Sequence, residues 1–231
     1  MRNVLVGLSA FFLLTGGAAQ GLHAVEKPSA QPEVSDALIF ARAYIPERLL
    51  DGRIGGSFDH GVDMEFSRSP ELAEMERQYP GALAAMKAAG RVYTVERLRT
   101  ALPQMHAKVA EYVAINFNAG QQHELATFFS SQVGQRLIEM SGDSIDGSKL
   151  IDKRADGTNA IKSDMDSLAG SFDYGFFGKL SKDELAAMAR FGTSPTGRLF
   201  NSKAPELLKL VGDNTTAFVA EIGPEAGLRM L

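Results

Sequence analysis

The sequence predicts an all-α protein: a bundle of about seven to eight helices, several kinked at proline, with two similar helix-turn-helix corners. Three observations predict it. Apolar residues recur three and four positions apart through most of the chain, and no stretch alternates apolar with polar residues for more than a few positions. Ala, Leu and Met dominate these periodic segments. The stretch Asn118 to Leu137 recurs as Ser181 to Phe200, sixty-three positions later.

In chain order, Met1-Arg2-Asn3, the apolar run Val4 to Leu14 and the small residues Gly16-Gly17-Ala18-Ala19 form the three regions of a secretory signal peptide. The run is about half the roughly 20 residues that a spanning helix needs. Residues 1–24 therefore read as a signal peptide, with cleavage expected after Ala19 or after Ala24. That leaves a periplasmic or secreted protein with no transmembrane segment. Residues 25–34, with Pro28 and Pro32, read as a flexible tether, and residues 35–231 as a single helical domain.

A first helix begins at Ser35 or Asp36 and carries Leu38, Ile39, Ala41, Ile45 and Leu49 on one apolar side. Pro46 lies inside the pattern, so either the helix kinks or two short helices abut. From Asp51 to Ser69 the periodicity disappears and Gly52, Gly55, Gly56 and Gly61 accumulate, which predicts a long loop. Ser69-Pro70 restarts a helix, a hydrogen-bonding cap followed by a residue that needs no amide donor, with Leu72, Met75 and Tyr79 on its buried side. Pro80-Gly81 interrupts it. Leu83, Met86 and Val92 then lead into Val95, Leu98, Leu102, Met105, Val109, Tyr112, Val113 and Phe117, a core helix bent where Pro103 removes a donor.

The corners follow, at 118–137 and 181–200. Asn118 and Ser181 are N-caps, and Gln121 and Glu184 close a capping box with them. Leu125 and Met188, then Phe128 and Phe191, form one apolar stripe. Ser131 and Ser194 restart the chain as a second helix, and Gly134 and Gly197 in its first turn let a neighbour pack close to the backbone. A Gly197→Leu substitution is expected to destabilise by overpacking, by about 1 to 3 kcal/mol. Leu180 and Leu185 can staple the second corner, where the first offers Phe117 and Gln122. Between the corners, Ser141 to Ala160 reads as a connector with a short strand or a turn of helix around Leu150. Ile161 to Phe177 reads as a weak helix ending in Tyr174, Phe176 and Phe177. Leu207, Leu208, Leu210, Val211, Phe218, Val219 and Ile222 predict a last helix, kinked near Pro205 and stopped around Gly223-Pro224, with Glu225 to Leu231 frayed.

The second corner, Glu184-Leu185, Phe191 and Ser194-Pro195-Thr196-Gly197-Arg198, resembles a family of exported bacterial proteins catalogued only as a domain of unknown function. The signature of that family is Thr/Ser-x-x-Glu-Leu followed by a helix ending in Phe-x-x-Ser-Pro-x-Gly-(Lys/Arg/Gln). The resemblance covers Tyr93 to Val219. The first copy departs from it, with Gln132 in place of Pro and His123-Glu124-Leu125 out of register with Asp183-Glu184-Leu185. Membership implies an all-helical exported protein and supplies no activity or functional residue to transfer.

Composition excludes several classes. Removing residues 1–24 takes away Arg2 alone among the charged residues, leaving 207 residues with a net charge of −5. Nucleic acid is not the expected partner, because phosphate binding needs clustered Lys and Arg. Arg91, Arg97 and Arg99, with Glu96 among them, read as a solvated helix face. With no cysteine, the chain has no disulfide, thiolate metal site, lipid-anchor cysteine or cysteine nucleophile.

Catalytic patterns are sparse. His123-Glu124 lacks the second histidine of a helical zinc motif, since Thr127 stands at the fourth following position, and His106 reads as a partly buried structural residue. Asp152 to Gly157 is no calcium loop, because Arg154 occupies its third position. The one concentration of ligand-type groups is Asp59, His60, Asp63 and Glu65 on the Gly-rich loop. The leading expectation is a non-catalytic exported protein that binds an envelope protein or an apolar ligand, with self-association as a further possibility and no cofactor. The alternative is a metal-assisted hydrolase using Asp59, His60, Asp63 and Glu65.

Overall fold

The computed structural model describes residues 34–49, 62–63, 70–143, 151–153, 159–161 and 173–229; the stretch read as a signal peptide, nearly all of that read as a tether and most of the Gly-rich stretch lie outside them. Seven α-helices form among the described residues: α1 Asp36–Tyr44, α2 Pro70–Gln78, α3 Ala82–Asn116, α4 Ala119–Ser130, α5 Gln132–Asp143, α6 Lys182–Thr193 and α7 Pro195–Arg229. The fold is an all-α bundle. Short 3₁₀ segments occupy Glu47–Leu49 and Tyr174–Lys179, and a two-stranded ribbon pairs β1 Ile151–Lys153 with β2 Asn159–Ile161. The ribbon is antiparallel, with Ile151 opposite Ile161. None of the helices is long and apolar enough to cross a membrane, among the described residues.

The chain packs as two compact units within the span read as one domain, dividing in α3 at Pro103 and in α7 at Ala217. The first unit holds α1, α4, α5, α6, the ribbon, α3 from Gln104 and α7 as far as Ala217. The second holds α2, the earlier part of α3 and the end of α7 from Phe218.

In the first unit, α1 is capped by Ser35, whose Oγ accepts the Leu38 N–H at 3.3 Å. It ends at Tyr44, before Pro46, so the alternative of two short abutting elements is the one realised. Ala41 and Ile45 are buried as expected, but the large groups turned inward beside them are Phe40 and Tyr44, with Leu38 and Ile39 only half-buried. Aromatic partners decide the face. Phe40 meets Phe129 edge-on at 5.0 Å and Phe200 at 6.0 Å, and Tyr44 meets the same two rings. The last carbonyls of a helix have no partner within it, and here side chains from other helices supply one. Gln135 Nε2 donates to Ala43 O at 2.9 Å, and His106 Nε2 lies 2.8 Å from Ile45 O.

Of the predicted core positions along α3 and just after it, Leu98, Leu102, Met105, Val109, Val113 and Phe117 are buried, while Val95 and Tyr112 are half-buried. Pro103 lies inside the helix and does not end it. The proline is exposed while Leu102 and Met105 on either side are buried, so tertiary burial outweighs one lost rung of the hydrogen-bond ladder. The same holds at Pro205 in α7, between buried Ala204 and Leu207. The last helix does not stop at Gly223-Pro224; it runs to Arg229 and includes residues expected to fray.

Two further expectations are corrected. Tyr79 is not on a buried side but 66 % exposed, because α2 closes at Gln78 and Tyr79 belongs to the turn before Gly81, whose φ is +96°. That turn is tied by Glu76, whose carboxylate accepts the Gly81 N–H at 2.9 Å and the Leu83 N–H at 2.8 Å. Ile161 does not start a helix; it ends β2, where it faces Ile151 across the ribbon.

The corners form as read. Asn118 Oδ1 accepts the Gln121 N–H at 3.0 Å while Gln121 Oε1 accepts the Asn118 N–H at 2.9 Å. Ser181 Oγ and Glu184 repeat the exchange at 3.2 and 2.7 Å. Where the first corner lacks an apolar staple, Gln122 Nε2 donates instead to Phe117 O at 2.7 Å. Ser131 and Ser194 adopt φ, ψ of −67°, 159° and −66°, 158°, and each Oγ accepts the N–H of the glycine three residues on. This identity carries a prediction. Ser131 already has the extended conformation that a following proline requires, and Gln132 stands at the exposed first position of α5. Gln132→Pro should therefore stabilise the protein by about 0.4 to 1 kcal/mol through the unfolded chain, measured as a higher urea midpoint with an unchanged slope.

Candidate functional site

The two corners face each other through their equivalent phenylalanines. Phe128 and Phe191 stack nearly parallel, with centroids 4.0 Å apart and planes within 4°. Leu125 and Met188, and Leu137 and Phe200, occupy equivalent buried positions around them. Phe129 has no aromatic equivalent, since Gly192 stands at its counterpart, and its ring fills the space between Phe40, Phe191 and Phe200.

A polar bridge joins α5 of the first corner to α6 of the second. Arg136 Nη1 donates to Glu184 Oε1 at 2.8 Å and its Nη2 donates to Lys179 O at 3.2 Å. Glu184 thus serves two structures at once, since its other oxygen completes the capping box. Hydrogen bonds from Ser181, backbone first and hydroxyl second, hold its carboxyl below the usual carboxylate range, and the Arg136 charge adds to this. The sign follows from the direction of the shift. A depressed carboxylate contributes stability above its ordinary value, and that contribution is lost as pH falls through the lower folded value. Glu184→Gln keeps the box, as Gln121 does in the first corner, but removes the charge. Its stability should fall less steeply than wild type between about pH 5 and 2, in chemical denaturation followed by circular dichroism.

Chemically, the corner serines are committed to backbone. Ser131 Oγ donates to Phe128 O at 2.6 Å and accepts from Gly134 at 3.1 Å, and Ser194 Oγ accepts from Gly197 at 2.9 Å. The histidines are likewise engaged. His106 is buried, and because a carbonyl cannot donate, its Nε2 carries the proton given to Ile45 O. His123 is exposed on α4, with Nδ1 3.2 Å from Asp36 Oδ2 at the start of α1. Tyr112 O–H donates to Glu206 Oε2 at 3.0 Å, and burial together with that carboxylate pushes its pKa up.

Of the four loop groups, Asp63 alone lies among the described residues, where it forms an ion pair with Lys87 of α3. Asp59, His60 and Glu65 lie outside them. No family model, curated protein or solved structure matches this chain.

One feature of α3 departs from the sequence reading. Arg97 is not part of a solvated face: it is half-buried, its Nη2 pairs with Glu221 Oε1 at 2.9 Å, and its Nε is buried with no acceptor among the described residues. One turn earlier, Thr94 is 7 % exposed and its hydroxyl also has no partner among the described residues. Spacing places Gly90, Thr94 and Arg97 on one side of the helix, and that is the only signal the sequence carries. The burial that makes the strip unusual comes from packing.

Proposed function

We propose that this chain is an exported, non-catalytic helical protein that works by binding a cell-envelope partner or an apolar ligand, in the manner of the exported family its second corner resembles. The use made of its reactive groups carries the reading. Both corner serines cap backbone amides, His106 caps α1, and Glu184 links a capping box to Arg136. These groups stiffen a scaffold, and a hydrolytic centre would need them poised toward a substrate. The secretory leader, Met1 to Ala24, supplies the export half of the proposal.

Expression of the full chain with a C-terminal tag, followed by fractionation and N-terminal sequencing, tests export. The mature form is expected to begin at Gln20 or Val25; a chain still beginning at Met1 overturns the export claim. Purification of the tagged protein from its native envelope tests the role, with a partner or lipid-like ligand expected at fixed stoichiometry. Stoichiometric divalent metal, together with hydrolysis abolished by Asp63→Asn, would replace this reading with the hydrolase.

A further inference from the structure

We propose that the strip of α3 bearing Thr94 and Arg97 binds a small oxyanion, a carboxylate or a phosphate group. The observation is a pair of unmet hydrogen-bonding groups one helical turn apart. Thr94 Oγ1 and Arg97 Nε are both buried, and neither has a partner among the described residues. A threonine inside a helix ordinarily bonds the carbonyl one turn back, and a buried guanidinium N–H is ordinarily met by an acceptor. An arginine N–H can only donate, so whatever satisfies Nε must offer an oxygen lone pair.

The geometry of the guanidinium narrows the ligand. Nε and Nη2 form one edge of the planar group, and that edge matches two oxygens of a carboxylate or phosphate. Glu221 uses only half of it, with Oε1 2.9 Å from Nη2. The Glu221 side chain is 64 % exposed, so it can swing into solvent. It is an internal carboxylate seated where an external one would sit. Thr94 adds a hydroxyl donor three residues back on the same side, and Gly90, buried one turn further, presents backbone without a side chain. Lys87, a turn before Gly90, lends positive charge to the same strip while pairing with Asp63. The site therefore joins a neutral donor, a cation and a displaceable internal anion, and it stands independently of the export proposal.

The experiment is thermal denaturation of the purified protein in inorganic phosphate or acetate, against chloride at matched ionic strength. Specific binding raises the melting temperature by mass action and saturates, whereas general salt effects on burial do not saturate. A saturable rise is expected with phosphate, acetate or both, and the responding probe identifies the ligand class. Thr94→Val keeps the side-chain shape and should abolish the rise, and Arg97→Lys, which keeps the charge but lacks the planar edge, should weaken it. Glu221→Gln removes the competitor and should bring saturation at about two- to fivefold lower concentration, in keeping with the modest strength of exposed ion pairs. No saturable rise with either probe overturns the proposal, and leaves water as the partner of both groups. An equal rise in wild type, Thr94→Val and Arg97→Lys also overturns it, because the anion then binds elsewhere.

Discussion

Replacing Gly197 by alanine should lower the stability of this protein by about 3 kcal/mol or more, at or beyond the upper end of what overpacking ordinarily costs. A Cβ at this position would stand 1.9 Å from the Phe191 carbonyl oxygen and 2.7 Å from its carbon. Both are backbone atoms, held by the end of α6, and they cannot turn aside as a flexible side chain can. Ser194 N–H donates to the same Phe191 oxygen at 3.0 Å, so moving the carbonyl would also strain the corner's own hydrogen bond. The sequence-based expectation for leucine was smaller because it presumed close approach without knowing that the neighbour was main chain. For a chain of this length the loss corresponds to a melting temperature roughly 6 to 12 °C lower. Gly134→Ala should behave similarly, with its Cβ 2.1 Å from Phe128 O. Gly178→Ala is the control: nothing lies within 4 Å of its Cβ, and its melting temperature should stay near wild type. An unchanged melting temperature for Gly197→Ala would show that α7 does not press against the end of α6.

The second large effect is expected at Phe129. Its ring is 1 % exposed and lies within 6 Å, centroid to centroid, of Phe40, Tyr44, Phe128, Phe191 and Phe200. Those rings come from α1, α4, α6 and α7, so one side chain supports four helices. Truncation to alanine leaves a void that well-packed aromatic neighbours fill only in part, and should cost about 3 to 5 kcal/mol. Urea denaturation measures the loss. Near-ultraviolet circular dichroism should lose intensity with it, since the chain has no tryptophan and its aromatic signal comes from Phe and Tyr. Phe128→Ala is the informative comparison. Phe128 is half-buried and its main aromatic contact is the parallel stack with Phe191, so its loss should be clearly smaller. Equal losses at the two positions would mean that the stacked pair, and not Phe129, anchors the cluster.

How far the structure was legible depends on the range of the interactions. Both capping boxes, the restart at each serine and the glycine contact lie within about seven residues of chain, and each could be read from residue types at fixed spacing. The buried stripe of α3 was legible for the same reason, since a helix repeats its inner face every three or four residues. The inner face of α1 was not. Nine residues offer two overlapping apolar sides, and the choice of Phe40 and Tyr44 over Leu38 and Ile39 was made by rings on α4 and α7. The candidate oxyanion site was hidden in the same way, because Arg97 on a helix amid charged residues looks solvated until packing buries its Nε.

By itself the sequence determined the helical class, the position of each corner and the conformation of the serine and glycine within it, because caps and turns are contests between a side chain and amides a few atoms away. Only tertiary structure decided that the two corners meet face to face at Phe128 and Phe191 and that Arg136 reaches Glu184. Each of those outcomes is set by apolar burial and charge pairing between segments tens of residues apart. Local propensity holds no information about such partners.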